Sequence, residues 1–563
     1  MNHNSAGTHN TFSRVASLPS LFFFAISSLS AAPTITNVAN AASNTDGRMP
    51  NGGIAQGAIF VVYGTELGPA NIVVAPTAFQ STTLSNTSVT VTVGGTTVNA
   101  PMYYTSATQV AALLPSKTPA GAGTITITYN GQASAQAPIR VVAANLGILT
   151  IDSSGTGPAI LTYPDYGLVS PTKAPNCGGP NTTCGAANPG DTLTLWGTGL
   201  GAVNGDDASG AGLGVNMPNI PLTVWVGGVQ AQVSYQGRSG CCAGLDQVVF
   251  TVPNAVPTGC AVPLVVQINN QVSNSTVIPV ANGSRTCPDL NSPGLDLVQI
   301  STLSSFTLGS VEVDHLLNDS GNGFFDRALG FFANIAFASL PPLSRAFFPS
   351  YLDSQPTGTC TLIGTRGPGD LFFNNLINNG FVSLLDAGPS ATISGPNGSM
   401  SISLGGDKTT LSSSGAFLSP GDYTVTGNGG KDLGPFTAHI TVPVAPTLTN
   451  PASGSGLTIT RAKGMTVTWN PNGSTGHVEL VISAYVDQNT AAQAVCTAPA
   501  SAGTFTIPPY VLLALPATNG ANFWFQPGDQ NPAFSGTFAA SGLAVGVAQS
   551  FVDGVAFHSV TLN

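Results

Sequence analysis

Charge is the scarcest property of this chain. Only 7% of its 563 residues are Asp, Glu, Lys or Arg, against about 25% in an ordinary soluble protein. The 14 Lys and Arg face 24 Asp and Glu, leaving a net charge of −10. No cationic surface is available to neutralise phosphates, so neither nucleic acid nor an anionic membrane is expected as a partner. Apolar runs are too short for a membrane span, which needs ~20 residues. Histidine is nearly absent as well, with His315, His439, His477 and His558 the only four beyond residue 10. Few general bases and few imidazole metal ligands are therefore on offer. Disorder is excluded in turn, because 42% of the residues are hydrophobic. Solubility must come from Ser, Thr, Asn, Gln and exposed backbone. The 67 Gly and 42 Pro predict frequent turns and few long helices, the profile of an extracellular all-β protein.

The N-terminus reads as a secretory leader, residues 1–32. Arg14 is the only Lys or Arg before the apolar run Leu18 to Ile26, and the small residues Ser27, Ser28, Ser30, Ala31 and Ala32 follow. Eight cysteines lie beyond it: Cys177, Cys184, Cys241, Cys242, Cys260, Cys287, Cys360 and Cys496. An even number in an exported chain points to disulfides. None forms a Cys-x-x-Cys pair, so a zinc or thioredoxin-type site is not expected.

What the chain does have is a repeat of domain length. Gly52 to Gly68 returns as Ala187 to Gly201, and Val93-Gly94-Gly95 as Val226-Gly227-Gly228 at an offset of 133. Gln109 and Pro115 return as Gln247 and Pro253 at an offset of 138, which places a five-residue insertion in the second copy, around Gly237 to Cys242. Two copies of one fold in tandem follow. Within the first, Val89, Val91 and Val93 alternate with Ser88, Thr90 and Thr92, the period of a half-buried strand. Asn130-Gly131 ends a second such strand as a hairpin signal.

The expected organisation is a leader at 1–32, a sandwich at 33–143, a connecting segment at 144–186 and a second sandwich at 187–282. A mostly β region follows at 283–445, and a C-terminal β-sandwich at 446–563, entered through a linker at Pro443 to Pro451. One short helix is expected within Asp319 to Leu340, because Phe325, Ala328, Leu329, Phe332, Ile335 and Ala336 share one 3.6-period face ahead of Pro341-Pro342.

Pro189-Gly190-Asp191-Thr192-Leu193-Thr194-Leu195-Trp196-Gly197-Thr198-Gly199-Leu200-Gly201, then Val226-Gly227-Gly228 and Gln247 to Pro253, resembles the immunoglobulin-like IPT/TIG domain. Both copies match, over roughly 36–142 and 187–281. With Gly240-Cys241-Cys242-Ala243-Gly244 and Leu385-Asp386-Ala387-Gly388-Pro389, the chain is similar to a family of secreted soil-bacterial proteins with no established activity. The resemblance implies a seven-stranded sandwich per repeat. Such domains serve elsewhere as structural, dimerising or carbohydrate-associated modules, so it carries over no functional residues.

Candidate sites are few. No Gly-x-Ser-x-Gly elbow exists, and no catalytic residue is expected. His439 and His477 fall in or beside strands, where a solvent-facing or hydrogen-bonded imidazole is the expectation. Asn318 to Gly323 has the look of a calcium loop but carries Leu329 where a bidentate Glu is needed. Asp152 and Asp206-Asp207 read as solvated loop acids. Trp196, Trp225 and Trp524 could stack on sugars, although packing explains the first two better. The Phe-rich stretch Phe324 to Phe348 has no assigned role. No cofactor or metal is expected.

The hairpin at Asn269-Asn270 suggests that Cys241 and Cys242 bond with Cys260 and Cys287, in either order; closure of the adjacent pair on itself, through a strained ring, is the alternative. Cys177 would then pair with Cys184, and Cys360 with Cys496. The function expected is a secreted, non-catalytic structural or adhesive array contacting an extracellular protein. A glycan-binding accessory to polysaccharide degradation is the alternative, and a hydrolase within 283–445 the remaining one.

Overall fold

A computed structural model describes residues 31–76, 81–172, 182–204, 213–287, 303–317, 324–340, 355–365, 380–405, 409–452, 456–487, 490–528, 536–552 and 554–563. The chain is all-β, built of tandem immunoglobulin-like sandwiches. The first repeat has two sheets. One orders Thr34–Asn40, Ile59–Thr65, Gln109–Leu113, Met102–Thr105 and Val73–Val74; the other runs through Ile54–Ala55, Ala137–Val142, Gly121–Tyr129, Thr87–Val93 and Thr83–Leu84. Period-2 alternation decides which face is buried. Val89, Val91 and Val93 point inward onto Phe60, Val62, Ile125 and Ile127, all at most 2% exposed. Each such side chain contributes about 1.5–3 kcal/mol of burial.

The hairpin turns are the same in both copies. Gly94 and Gly95 have φ of 55° and 80°, and Gly227 and Gly228 have 55° and 81°. Two consecutive left-handed residues make the turn whose twist matches the flanking strands, and glycine adopts it without penalty.

The second repeat differs at one strand. In the first, Thr96–Asn99 and Met102–Thr105 belong to different sheets and are separated by Ala100-Pro101. In the second, a single strand Val229–Arg238 pairs with Leu222–Val226 and then with Asp246–Thr251, joining the two layers into one nine-stranded sheet. Its register slips between Val233 and Tyr235. Gln232, opposite Thr251 as Pro101 is opposite Leu113, supplies the N–H that proline lacks, so the strand bends here instead of breaking. The segment 144–186 is more than a connection. Gly147–Ile148 and Leu161–Thr162 both pair with Thr192–Thr198, and Leu146, Ile148, Leu161 and Tyr163 lie in the core of the second repeat.

Three expectations beyond residue 283 need correction. The helix expected within Asp319 to Leu340 is a strand, Phe324–Ile335, followed by a three-residue 3-10 turn, Phe337–Ser339. Phe332 packs into one core while Phe331, Ala333 and Ile335 pack into another. A strand buried on both faces is apolar throughout, so any 3.6-spaced subset of it looks like a helix stripe. Among the described residues the one α-helix is Pro509–Leu513, in the last region. Secondly, 445/446 does not separate two sheets. A 12-stranded sheet interleaves both regions, with Phe306–Leu317 lying between Phe324–Ile335 and Val545–Val552. The latter pairing is parallel, from Leu308↔Val545 to His315↔Val552, and no local signal announces so distant a partner. Thirdly, the linker at Pro443 to Pro451 contains a strand, Thr447–Asn450, paired with Met465–Asn470.

Candidate functional site: the junction between the repeats and an adjoining cleft

The loop Ser239 to Leu245, between Val229–Arg238 and Asp246–Thr251, holds the insertion of the second copy. At its base Arg238 and Asp246 stand opposite each other across the ladder and form an ion pair, 1% and 0% exposed. The other Asp246 oxygen accepts the amides of Gly199 at 2.6 Å and Leu200 at 2.8 Å. Arg238 Nη2 donates to Gly201 O at 2.6 Å and to Gly57 O at 3.0 Å, the latter in the first repeat. Burial pushes the Asp246 carboxyl above its ordinary range, while Arg238 and the two amides pull it down. A buried charge is tolerable only when paired and hydrogen-bonded in this way.

Around that pair the repeats exchange further bonds. Thr198 Oγ1 donates to Gly244 O at 2.6 Å and accepts the Ile59 amide at 2.8 Å. Ser116 Oγ accepts the Val203 amide at 3.1 Å. Asn145 Nδ2 lies 2.6 Å from both Asn51 O and Gly53 O, and Asn40 Nδ2 donates to Thr198 O at 3.0 Å. The Tyr103 hydroxyl donates to Ala243 O. Buried polar groups matched across two modules fix their relative orientation, because any slip leaves them unsatisfied. The sequence reading missed this site. Its signal was an Arg and an Asp flanking the inserted loop in a chain with so little charge.

A cleft of about 420 Å³ lies where the first repeat meets the last region, lined by Arg48, Pro50, Arg140, Arg461, Tyr485 and Pro516 among others. Arg140 Nη2 donates to Met49 O at 2.9 Å and Pro50 O at 3.0 Å. Arg461 Nη1 donates to Leu515 O at 2.6 Å. Arg48 pairs with Asp46 and with Asp487 of the last region. A second groove of about 670 Å³, between the edges of the first repeat's two sheets, also includes Arg48 and Arg140. Burial lowers the pKa of Arg140 and Arg461, and a guanidinium stays charged regardless.

The disulfides differ from the expected pairing. Cys241 bonds to Cys242 and Cys260 to Cys287. Asp246–Thr251 pairs with Thr192–Thr198 and Val229–Arg238, not with Gly259–Ile268. The inserted loop is thus held against the first repeat, away from Cys260. Cys360 and Cys496 face each other in register and are bonded. Cys184 is disulfide-bonded; Cys177 lies outside the described residues, as do residues 1–30 of the leader, Asp206-Asp207 and Asn318 to Gly323.

The remaining candidates are dispersed. His315 Nδ1 lies 2.5 Å from Asp326 Oδ1, and the other Asp326 oxygen accepts the amides of Phe417 at 2.7 Å and Leu418 at 2.8 Å. Asp326 is thereby spent on anchoring a loop. His439 is exposed beside Thr424, His558 beside Asn522, and His477 is buried at 3%. Asp152 caps its own turn at the Ser154 amide. Trp196 is half-buried and donates to Thr162, and Trp225 is stacked on Tyr510 at 4.8 Å, which covers one face of that ring. Trp524 is half-buried on the strand face opposite the core residues Phe523 and Phe525. Of the Phe-rich stretch, Phe325, Phe331, Phe332 and Phe337 belong to the strand and turn described above, while 341–348 lies outside the described residues. Among the described residues, no three His, Cys, Asp or Glu side chains cluster, and no helix is long and apolar enough to cross a membrane.

These features define a disulfide-bonded array of immunoglobulin-like sandwiches with a polar lock between its repeats. No family model and no curated protein matches the chain. Among solved structures it is similar to domains 5–6 of the S-layer protein SbsC, at 16% identity, 45% of this chain and 100% of that one, with a TM-score of 0.16. It is similar also to SGBP-B of Bacteroides ovatus, solved with a mixed-linkage heptasaccharide, at 11% identity, 77% and 79% coverage, and a TM-score of 0.13. Sidekick-1 immunoglobulin domains 1–4 share 10% identity over 88% of this chain and 94% of that one, with a TM-score of 0.12. Likenesses this distant carry no argument about function.

Proposed function

We propose that this chain acts outside the cytoplasm as a non-catalytic structural or adhesive array that holds sandwich domains in fixed register for contact with other proteins or surfaces. The observation that carries this reading is the buried Arg238–Asp246 lock, with the Thr198, Ser116 and Asn145 bonds beside it. A junction of this kind holds two modules at a fixed angle, as a spacer or scaffold requires. Disulfides support an oxidising location. The IPT/TIG assignment of the two repeats belongs to the same proposal. Glycan binding is the second reading, favoured by the arginine-lined cleft beside Tyr485. The test pairs two measurements on the purified chain: binding to isolated cell envelopes, and turnover of a panel of esters, glycosides and peptides. Envelope binding that Arg238→Met weakens supports the array. Turnover that His315→Ala abolishes would overturn it.

A further inference from the structure

The chain has only 14 Lys and Arg in 563 residues, yet Arg48, Arg140 and Arg461 converge on one cleft of about 420 Å³. They come from distant parts of the sequence, two in the first repeat and one in the last region, so only the tertiary structure assembles them. Arg48 is offset by Asp46 and Asp487. Arg140 and Arg461 have no carboxylate within ion-pair distance among the described residues; their recorded bonds go to the carbonyls of Met49, Pro50 and Leu515. Two cations are thus held by the cleft wall with charge to spare, in a protein whose net charge is −10.

From this geometry we infer that the cleft binds an acidic oligosaccharide through its carboxylates. The inference rests on the glycan-binding reading and narrows it to a ligand class. A guanidinium attracts a carboxylate by its charge and donates to it through N–H groups that the carbonyls of the wall do not take. Tyr485 lines the same cleft, and aromatic side chains supply apolar area to sugar rings. Because Arg48 and Arg140 also line the groove of about 670 Å³ between the sheet edges, the site is longer than a single ion requires. An acidic peptide fits less well. Adding a strand demands a row of free amides, and Pro50 and Pro516 on the walls have none.

Affinity electrophoresis of the full chain through gels containing polygalacturonate, dextran or poly-glutamate tests this. Retardation is expected in polygalacturonate alone, at low salt and not at high salt. The double substitution Arg140→Gln/Arg461→Gln should weaken it at least about tenfold. Because Arg140 also supports the loop at Met49, Ala517→Glu is the second variant. Ala517 is an exposed cleft residue, and a carboxylate there should weaken binding without removing any hydrogen bond described above. Retardation unchanged in both variants overturns the inference, as does equal retardation by poly-glutamate. Retardation in dextran that ignores the arginines overturns it while leaving glycan binding standing. No retardation in either polysaccharide removes both.

Discussion

Replacing Arg238 with Met removes the cation from a site where a carboxylate is fully buried. Methionine retains most of the apolar stem, so the loss is electrostatic and polar more than steric. Asp246 keeps the amides of Gly199 and Leu200, while Gly57 O and Gly201 O lose a donor. Breaking a buried pair by removing one partner costs about 3–5 kcal/mol, a large share of the ~5–15 kcal/mol that holds a domain together. The sign of the pH dependence follows from the carboxyl. Burial already raises Asp246, and loss of Arg238 raises it further, so the folded variant binds a proton that the unfolded chain releases near pH ~4. Its stability is therefore complete below that pH and falls as the pH rises through the folded value. Urea unfolding at pH 5 and pH 8, followed by hydrogen exchange at peptides covering 57–60 and 198–203, should show the deficit larger at pH 8. Adding Asp246→Asn should recover about 2 kcal/mol, since the neutral side chain no longer needs a counterion. A single variant within about 1 kcal/mol of wild type at both pH values, with no recovery in the double, would refute the reasoning.

Other substitutions probe separate parts of the fold. Glu479, partly buried on its strand, has its carboxyl pushed up to about 8 by burial. The folded state thus holds a proton between about pH 4.5 and 8, and stability should fall by up to about 1.4 kcal/mol per pH unit as the pH rises through that window. Glu479→Gln should flatten the slope and stabilise the protein at pH 9, as urea midpoints at pH 5, 7 and 9 will show. Trp225→Ala removes a ring stacked on Tyr510 and a hydrogen bond to Gln267; a loss of about 2 kcal/mol in urea unfolding is expected, and an unchanged midpoint would contradict the packing role. Limiting reductant followed by alkylation and peptide mapping should label Cys241 and Cys242, on a partly exposed loop, before Cys360 and Cys496, which are 6% and 0% exposed. Labelling in the reverse order would contradict the assigned access.

Local patterning determined much of this molecule. Alternating valines at 89–93 and 224–226 set the buried faces, because a strand's period is fixed by backbone geometry alone. The Gly-Gly turns are equally local, since only consecutive left-handed residues close a hairpin of that twist. Everything that depends on which strand finds which partner was decided in three dimensions. Phe324–Ile335 is a strand because two cores, not one, receive its side chains, and Phe306–Leu317 lies beside Val545–Val552 through pairing that skips more than 200 residues. The cysteine pairing followed from which layer each strand joined, and adjacent residues 241 and 242 closed on each other because the strand after them ran away from Cys260. The Arg238–Asp246 lock and the three-arginine cleft are of the same kind. Each charge was visible in the sequence, but burial and proximity, which give a charge its energy, exist only once the chain is packed.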